Sequence, residues 1–291
     1  MLKKIPMNNF FTRALTGIVF VIVLLGAILL NQYTFYSLFI IITILGLWEF
    51  YRLNSNERHK PQKYFGTLIG IVLFITSYIE ASRDVIFPFI MVIYGLGFMV
   101  FIFEIYRNTE KPFVNIGLTL LGIVYVALPF SLLNFIAFPD LTLYHLTIER
   151  YQPHILLGMI YMIWINDTGA YLVGSKFGKT KLFERISPKK TWEGSIGGAV
   201  FALIGAYIIS IYYKDIEMMD WFIISGIVIV FGTLGDLVKS LLKRSIGVKD
   251  SGTILPGHGG ILDRFDSIIM SAPFVLIYIV FKFHYFNIIN H

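Results

Sequence analysis

Polar residues are so sparse along this chain that its apolar runs stand out unaided. Nine runs approach the roughly 20 residues that a bilayer-crossing helix needs: 14–30, 33–50, 64–77, 85–105, 113–137, 155–173, 195–213, 221–238 and 267–283. They are too long and too evenly apolar for the alternating strands of a membrane barrel. Backbone groups in lipid must be satisfied within their own segment, which leaves helix. The pattern predicts an all-α, polytopic integral membrane protein of about nine transmembrane helices. The run 64–77 is the shortest and is dotted with Gly and Thr, while Pro88 and Pro129 should kink their helices or lie near the ends. The first run follows a basic N-terminus and ends without a small-residue cleavage site, so it reads as a retained span.

Composition agrees with this reading. Of 291 residues, 56% are hydrophobic and 14% charged, too little polar surface for a water-soluble domain. The chain has no cysteine, which excludes disulfides and thiolate metal sites. The net charge of +6 is distributed unevenly. With the N-terminus in the cytoplasm, all 24 lysines and arginines fall on the inner side except Arg83, Arg150, Lys214 and Lys282. That bias predicts a cytoplasmic N-terminus and an external C-terminus in the cell membrane. Basic residues interleaved with aromatics on a soluble face are missing, so nucleic acid is not an expected partner.

Two inner loops, 174–194 and 239–266, are long, basic and glycine-dotted. Residues 1–150 then form an N-terminal set of about five spans, and 151–291 a C-terminal region carrying the chemistry. The sixth run holds Asn166 and Asp167; an intramembrane carboxylate is costly and faces the bundle interior or a wet cavity. The bland alternative for Asp167 is a structural hydrogen bond. The first loop offers Lys176, Lys179, Lys189, Lys190, Thr191 and Glu193, with glycines but no P-loop or dinucleotide order. Its charge suits polyphosphate, or merely anionic lipid.

The second loop is sharper. Asp236 and Ser240 share a helical face, as do Lys239 and Lys243, and Asp263 and Asp266 lie at i and i+3 where the last run begins. Three carboxylates at one membrane surface suit Mg²⁺, which takes one or two of them plus substrate phosphates. A helix dipole alone would accommodate Asp263 and Asp266 but not Asp236. Arg244, Lys249, Asp250, His258, Gly259, Gly260 and Arg264 complete a polar island beside the apolar last run.

Ser240, Lys243-Arg244, Lys249-Asp250, Gly252, Pro256-Gly257-His258-Gly259-Gly260, Asp263-Arg264 and Asp266 resemble the signature of the phosphatidate cytidylyltransferase (CDP-diacylglycerol synthase) family, each at its spacing. Segments 164–171 and 187–194 resemble further family blocks. The resemblance implies formation of CDP-diacylglycerol and pyrophosphate from CTP and phosphatidate. It implies Asp236, Asp263 and Asp266 as metal ligands, with Ser240, Lys243 and Arg264 at the reacting centre. Asn166, Asp167, Lys176, Lys179, Lys189, Lys190, Thr191, Glu193, Arg244, Lys249, Asp250, His258, Gly259 and Gly260 would bind the substrates at their phosphates. Mg²⁺ is the implied cofactor, with room for a monovalent cation such as K⁺ beside it, and a homodimer is compatible. A lipid phosphate is already anionic at neutral pH, so charge neutralisation matters more than a general base. A lipid kinase acting on a polyprenol-type alcohol is the alternative within enzymes, and a transporter the alternative outside them. A transporter would favour paired broken spans at the midplane, which the sequence does not show.

Overall fold

The computed structural model describes residues 9–83, 89–139, 151–248, 252 and 259–282. Each of the nine apolar runs contains helix: α1 (Asn9–Leu30), α2 (Gln32–Leu53), α3 (Lys63–Arg83), α4 (Phe89–Ile105), α5 and α6 (Pro112–Gly122 and Leu128–Ala137), α7 (His154–Phe177), α8 (Trp192–Tyr212), α9 and α10 (Met218–Ile227 and Thr233–Ser245) and α11 (Leu262–Val280). Six stretches are long and apolar enough to cross a membrane by themselves: Gln32–Leu53, Lys63–Arg83, Pro112–Ala137, His154–Phe177, Trp192–Tyr212 and Met218–Ser245. The protein is a multi-span membrane protein.

Local chemistry accounts for the boundaries. The Asn31 side chain accepts from Tyr33 N and Thr34 N (2.9 and 3.0 Å), starting α2 one residue after α1 stops. The third run forms a longer helix than 64–77, and its threonines do not interrupt it. Thr67 and Thr76 donate their hydroxyls to the carbonyls of Lys63 and Val72, one turn back (2.7 and 2.8 Å). Two long helices are interrupted by single π turns, at Ile123–Ala127 between α5 and α6 and at Val228–Gly232 between α9 and α10. Pro129 sits in the first turn of α6, directly after the first of these, where the ladder is already re-spaced. Pro88 lies outside the described residues.

The chain is all-α as expected, and one loop adds a two-stranded sheet to the helices. The loop 174–194 holds an antiparallel hairpin, β1 (Lys181–Phe183) and β2 (Ser187–Thr191), pairing Lys181 with Thr191 and Phe183 with Ser187. Strands this short and basic carry no legible alternation.

Lipid is as apolar as leucine, so burial alone does not drive these helices together and close fit must. α7 and α8 approach at small residues: a Cβ on Gly169 would stand 3.2 Å from the Gly198 Cα. Elsewhere aromatic rings interlock, with Phe265 of α11 against Phe20, Phe39 and Phe130 at 5.8, 6.4 and 5.5 Å. Those contacts tie α1, α2, α6 and α11 into one core. Outward faces remain greasy, for example Ile196, Ile204 and Tyr207 on α8. One end of the bundle is closed by polar pairs. His154 meets Asp215 at 2.6 Å, and buried Asp220 accepts from Tyr278, pairs with Lys282 at 3.1 Å and accepts from Glu217 N at 3.0 Å.

A candidate active site at the opposite end

At the other end, α10 presents Asp236, Lys239, Ser240 and Lys243 on one face, as residues spaced three and four apart must. α11 starts beside it and supplies Asp263 and Asp266. Between the two helices lies the ammonium of Lys239, 2.6 Å from Asp236 Oδ1, 2.6 Å from Asp266 Oδ2 and 3.7 Å from Asp263 Oδ1. Lys243 Nζ adds 2.8 Å to Asp263 Oδ1. The hairpin brings Lys190 Nζ to within 2.6 Å of the other Asp236 oxygen. Carboxylates this poorly exposed require such partners, because an unpaired charge there would be very costly. Three aspartates and three lysines form one connected network.

The start of α11 is held from an unexpected direction. Glu49, near the end of α2 and 1% exposed, accepts from Ile261 N at 2.7 Å and Leu262 N at 3.1 Å. It caps α11 from another helix, satisfying donors that a helix N-terminus leaves open and favouring its positive dipole end. The same carboxylate occupies the space a Cβ on Gly260 would need, which explains the second glycine of the pair. Gly259 has φ +82°, a left-handed conformation open to glycine at little cost. Gly260 N also donates to Asp263 Oδ2 at 3.3 Å. Glu49 thereby fixes the turn from which Asp263 and Asp266 project. Sequence reasoning missed it because nothing local marks a contact across 212 residues.

The basic loop is ordered by its own carboxylate. Glu193 accepts from Lys179 N and Thr180 N at 3.1 Å each, and Thr191 caps α8 through Gly194 N at 3.2 Å. Both residues were expected to touch substrate phosphates; the structure shows their oxygens bonded to backbone, although Thr191 also lines a cavity. Lys176, Lys179 and Arg244 are exposed and stand outside the lining of both cavities described below. Among the described residues Ser240 takes no part in the ionic network. Lys249, Asp250 and His258 lie outside the described residues.

Two cavities meet at the aspartates. The larger, about 520 Å³, is lined by Asn166, Asp167, Lys189, Lys190, Asp236 and Lys239 among others. The smaller, about 310 Å³, runs between α1, α7 and α11, with Phe20, Val21, Ile160 and Ile163 on its walls and Arg264 at its polar part. Asp167, Asp263, Asp266 and Ser267 line both. The larger chamber adds Lys189, Lys190 and Lys239 to the aspartates, the smaller adds Arg264 and the large apolar side chains of α1 and α7, and a wall of carboxylates is common to them. The lysines of the first can offset negative charge on a reagent, and Arg264 beside apolar walls in the second can meet an anionic head on an amphiphile.

The donor set is chemically right for a hard cation, three carboxylates that already share one positive charge. As placed, however, no group of three or more metal-type donors among the described residues is arranged to hold an ion, because the Lys239 ammonium takes the shared point. Lys239 itself was read from sequence only as a helical neighbour of Lys243.

The chain is 35% identical over 265 residues to a phosphatidate cytidylyltransferase of Bacillus subtilis (strain 168), covering 90% of this chain and 95% of that protein. It is 33% identical over 275 residues to one of Staphylococcus aureus (strain COL), covering 92% and 98%. It is 31% identical over 270 residues to one of Staphylococcus haemolyticus (strain JCSC1435), again covering 92% and 98%. Residues 11–282 match the sequence model of the cytidylyltransferase family, so the match includes Glu49, both cavities and the whole ionic network, and the chain belongs to that family.

Proposed function

We propose that the protein transfers the cytidylyl group of CTP to phosphatidate, giving CDP-diacylglycerol and pyrophosphate. The observation that carries the reading is the carboxylate wall shared by two chambers, one bringing Lys189, Lys190 and Lys239 to it and the other Arg264 with the apolar side chains of α1 and α7. Two substrates that live in different solvents can meet there. The triphosphate enters the larger chamber, where Lys189 and Lys190 offset its charge. The acyl chains lie along α1 and α11, and Arg264 draws the lipid phosphate toward the aspartates. A phosphate oxygen of the lipid attacks the α-phosphorus of CTP. One P–O bond forms as the bond to the β-phosphate oxygen breaks, and the electron pair leaves with pyrophosphate. No proton has to be removed from the nucleophile.

Asp236, Asp263 and Asp266 would hold Mg²⁺, whose contribution when bound is to neutralise phosphate charge and steady the leaving pyrophosphate. The chain's own residues orient the reactants. Glu49 sets the start of α11, and the Lys190–Asp236 pair fixes the hairpin over the chamber.

The site faces the cytoplasm of a bacterial-type cell membrane, with nine crossings and the N-terminus inside. The ends of α2, α7 and α10 and the beginnings of α8 and α11 gather at the site, as alternating crossings require. Because the chain lacks cysteine, single cysteines at Lys179 and Asp215 report which of the two faces the outside of intact cells. Labelling of Asp215→Cys alone by an impermeant thiol reagent is expected; the reverse result inverts the topology.

Purified protein given phosphatidate and CTP labelled at the α-phosphate should move label into lipid. Lipid labelled only from the γ-phosphate would instead identify a lipid kinase.

A further inference from the structure

Lys239 differs from the other two lysines of the network. Lys190 and Lys243 each sit within 2.8 Å of one aspartate, whereas the Lys239 ammonium lies within 3.7 Å of all three. It is 8% exposed, anchored on α10 one turn after Asp236, and it also lines the larger chamber. An ammonium at hydrogen-bond distance from Asp236 and Asp266 fills the space in which those oxygens would ligate an ion at about 2.0–2.1 Å. Two cations cannot share that point, since the ammonium already takes the oxygens that a metal ion there would need.

We propose that Lys239 is a built-in competitor of the divalent cation. It holds the three aspartates together while the metal is away and withdraws when the metal arrives. Its flexible four-carbon stem then carries the ammonium toward the larger chamber, where the triphosphate would lie. The cation that guarded the ligands becomes a cation for the substrate. Binding of metal and delivery of Lys239 to phosphate are thus one event. The proposal rests on the assignment of the aspartates as metal ligands.

The test is direct binding, without turnover. Full-length protein in detergent is titrated with Mg²⁺ alone by calorimetry, wild type against Lys239→Met. The variant is expected to bind at least about tenfold more tightly, since the competing charge is gone, and to melt lower than wild type without metal. Saturating Mg²⁺ should close that gap. Equal or weaker binding by the variant overturns the competition. Should Lys239→Met fail to fold, wild type is treated with an amine-reactive reagent and read by peptide mass spectrometry. Mg²⁺ is expected to raise labelling of Lys239 several-fold while leaving exposed Lys179 unchanged; no rise overturns the proposal. Absence of Mg²⁺ binding by wild type removes the metal reading as well, whereas Mg²⁺ binding with unchanged affinity or labelling removes only the competition.

Discussion

The two ends of the helix bundle contain the same kinds of groups and use them differently. At the far end Asp220 meets Tyr278, Lys282 and the Glu217 amide, with Trp221 fully buried beside it. Its oxygens are consumed by their own partners. At the site end Asp236, Asp263 and Asp266 also meet lysines, but all three line a cavity of about 520 Å³, and Asp263 and Asp266 a second of about 310 Å³. A buried ion pair is therefore no sign of function by itself. What separates a fastening from a working surface is whether the charged groups also border open space.

That contrast can be broken from either side. The largest effect is expected at the shared wall: Asp263→Asn or Asp266→Asn should cut turnover at least about a thousandfold, the size of losing a fixed electrostatic contact to the transition state, while the melting curve stays cooperative. Near-normal turnover would end the assignment of these aspartates. Next comes Glu49→Ala, expected to lower kcat per folded molecule by about a hundredfold through misplacement of α11, with Glu49→Gln restoring part of it. A lower yield with normal kcat would make Glu49 mere scaffold. Lys190→Ala should raise KM for CTP about tenfold with kcat little changed, as removal of uniform binding does. Smallest in activity is Asp220→Ala, expected to leave kcat within about twofold while costing about 1–3 kcal/mol of stability in thermal melts. Equal damage to activity from Asp220→Ala would erase the distinction between the two ends.

The helices were legible in the sequence because lipid allows few alternatives: a long apolar run must satisfy its backbone alone, and that chemistry is local. The aspartates on α10 and α11 were legible for the same reason, since helical spacing puts Asp236 with Ser240 and Asp263 with Asp266. What escaped was direction and distance. Spacing paired Lys239 with Lys243, but could not tell that its ammonium points inward to three carboxylates rather than outward to substrate. Glu49 sits in an ordinary apolar run, and its job depends on a turn far along the chain. Thr191 and Glu193 are different. A threonine just before an apolar helix is a recognisable cap, and reading their loop as phosphate-binding obscured it.

The π turn at Val228–Gly232 gives one more consequence. It spends an extra residue without lengthening the helix correspondingly, so it acts as a phase adjuster between α9 and α10. Loss of a single residue there would let the segment close into plain α-helix with the phase of α10 nearly kept. The same loss at 233–235, inside regular α-helix, has no such slack and would turn everything after it by about 100°, swinging Asp236, Lys239 and Lys243 off α11 together. Length, and not only residue identity, is thus part of what this segment encodes: the wide turn tolerates a lost residue that the helix beginning directly after it does not.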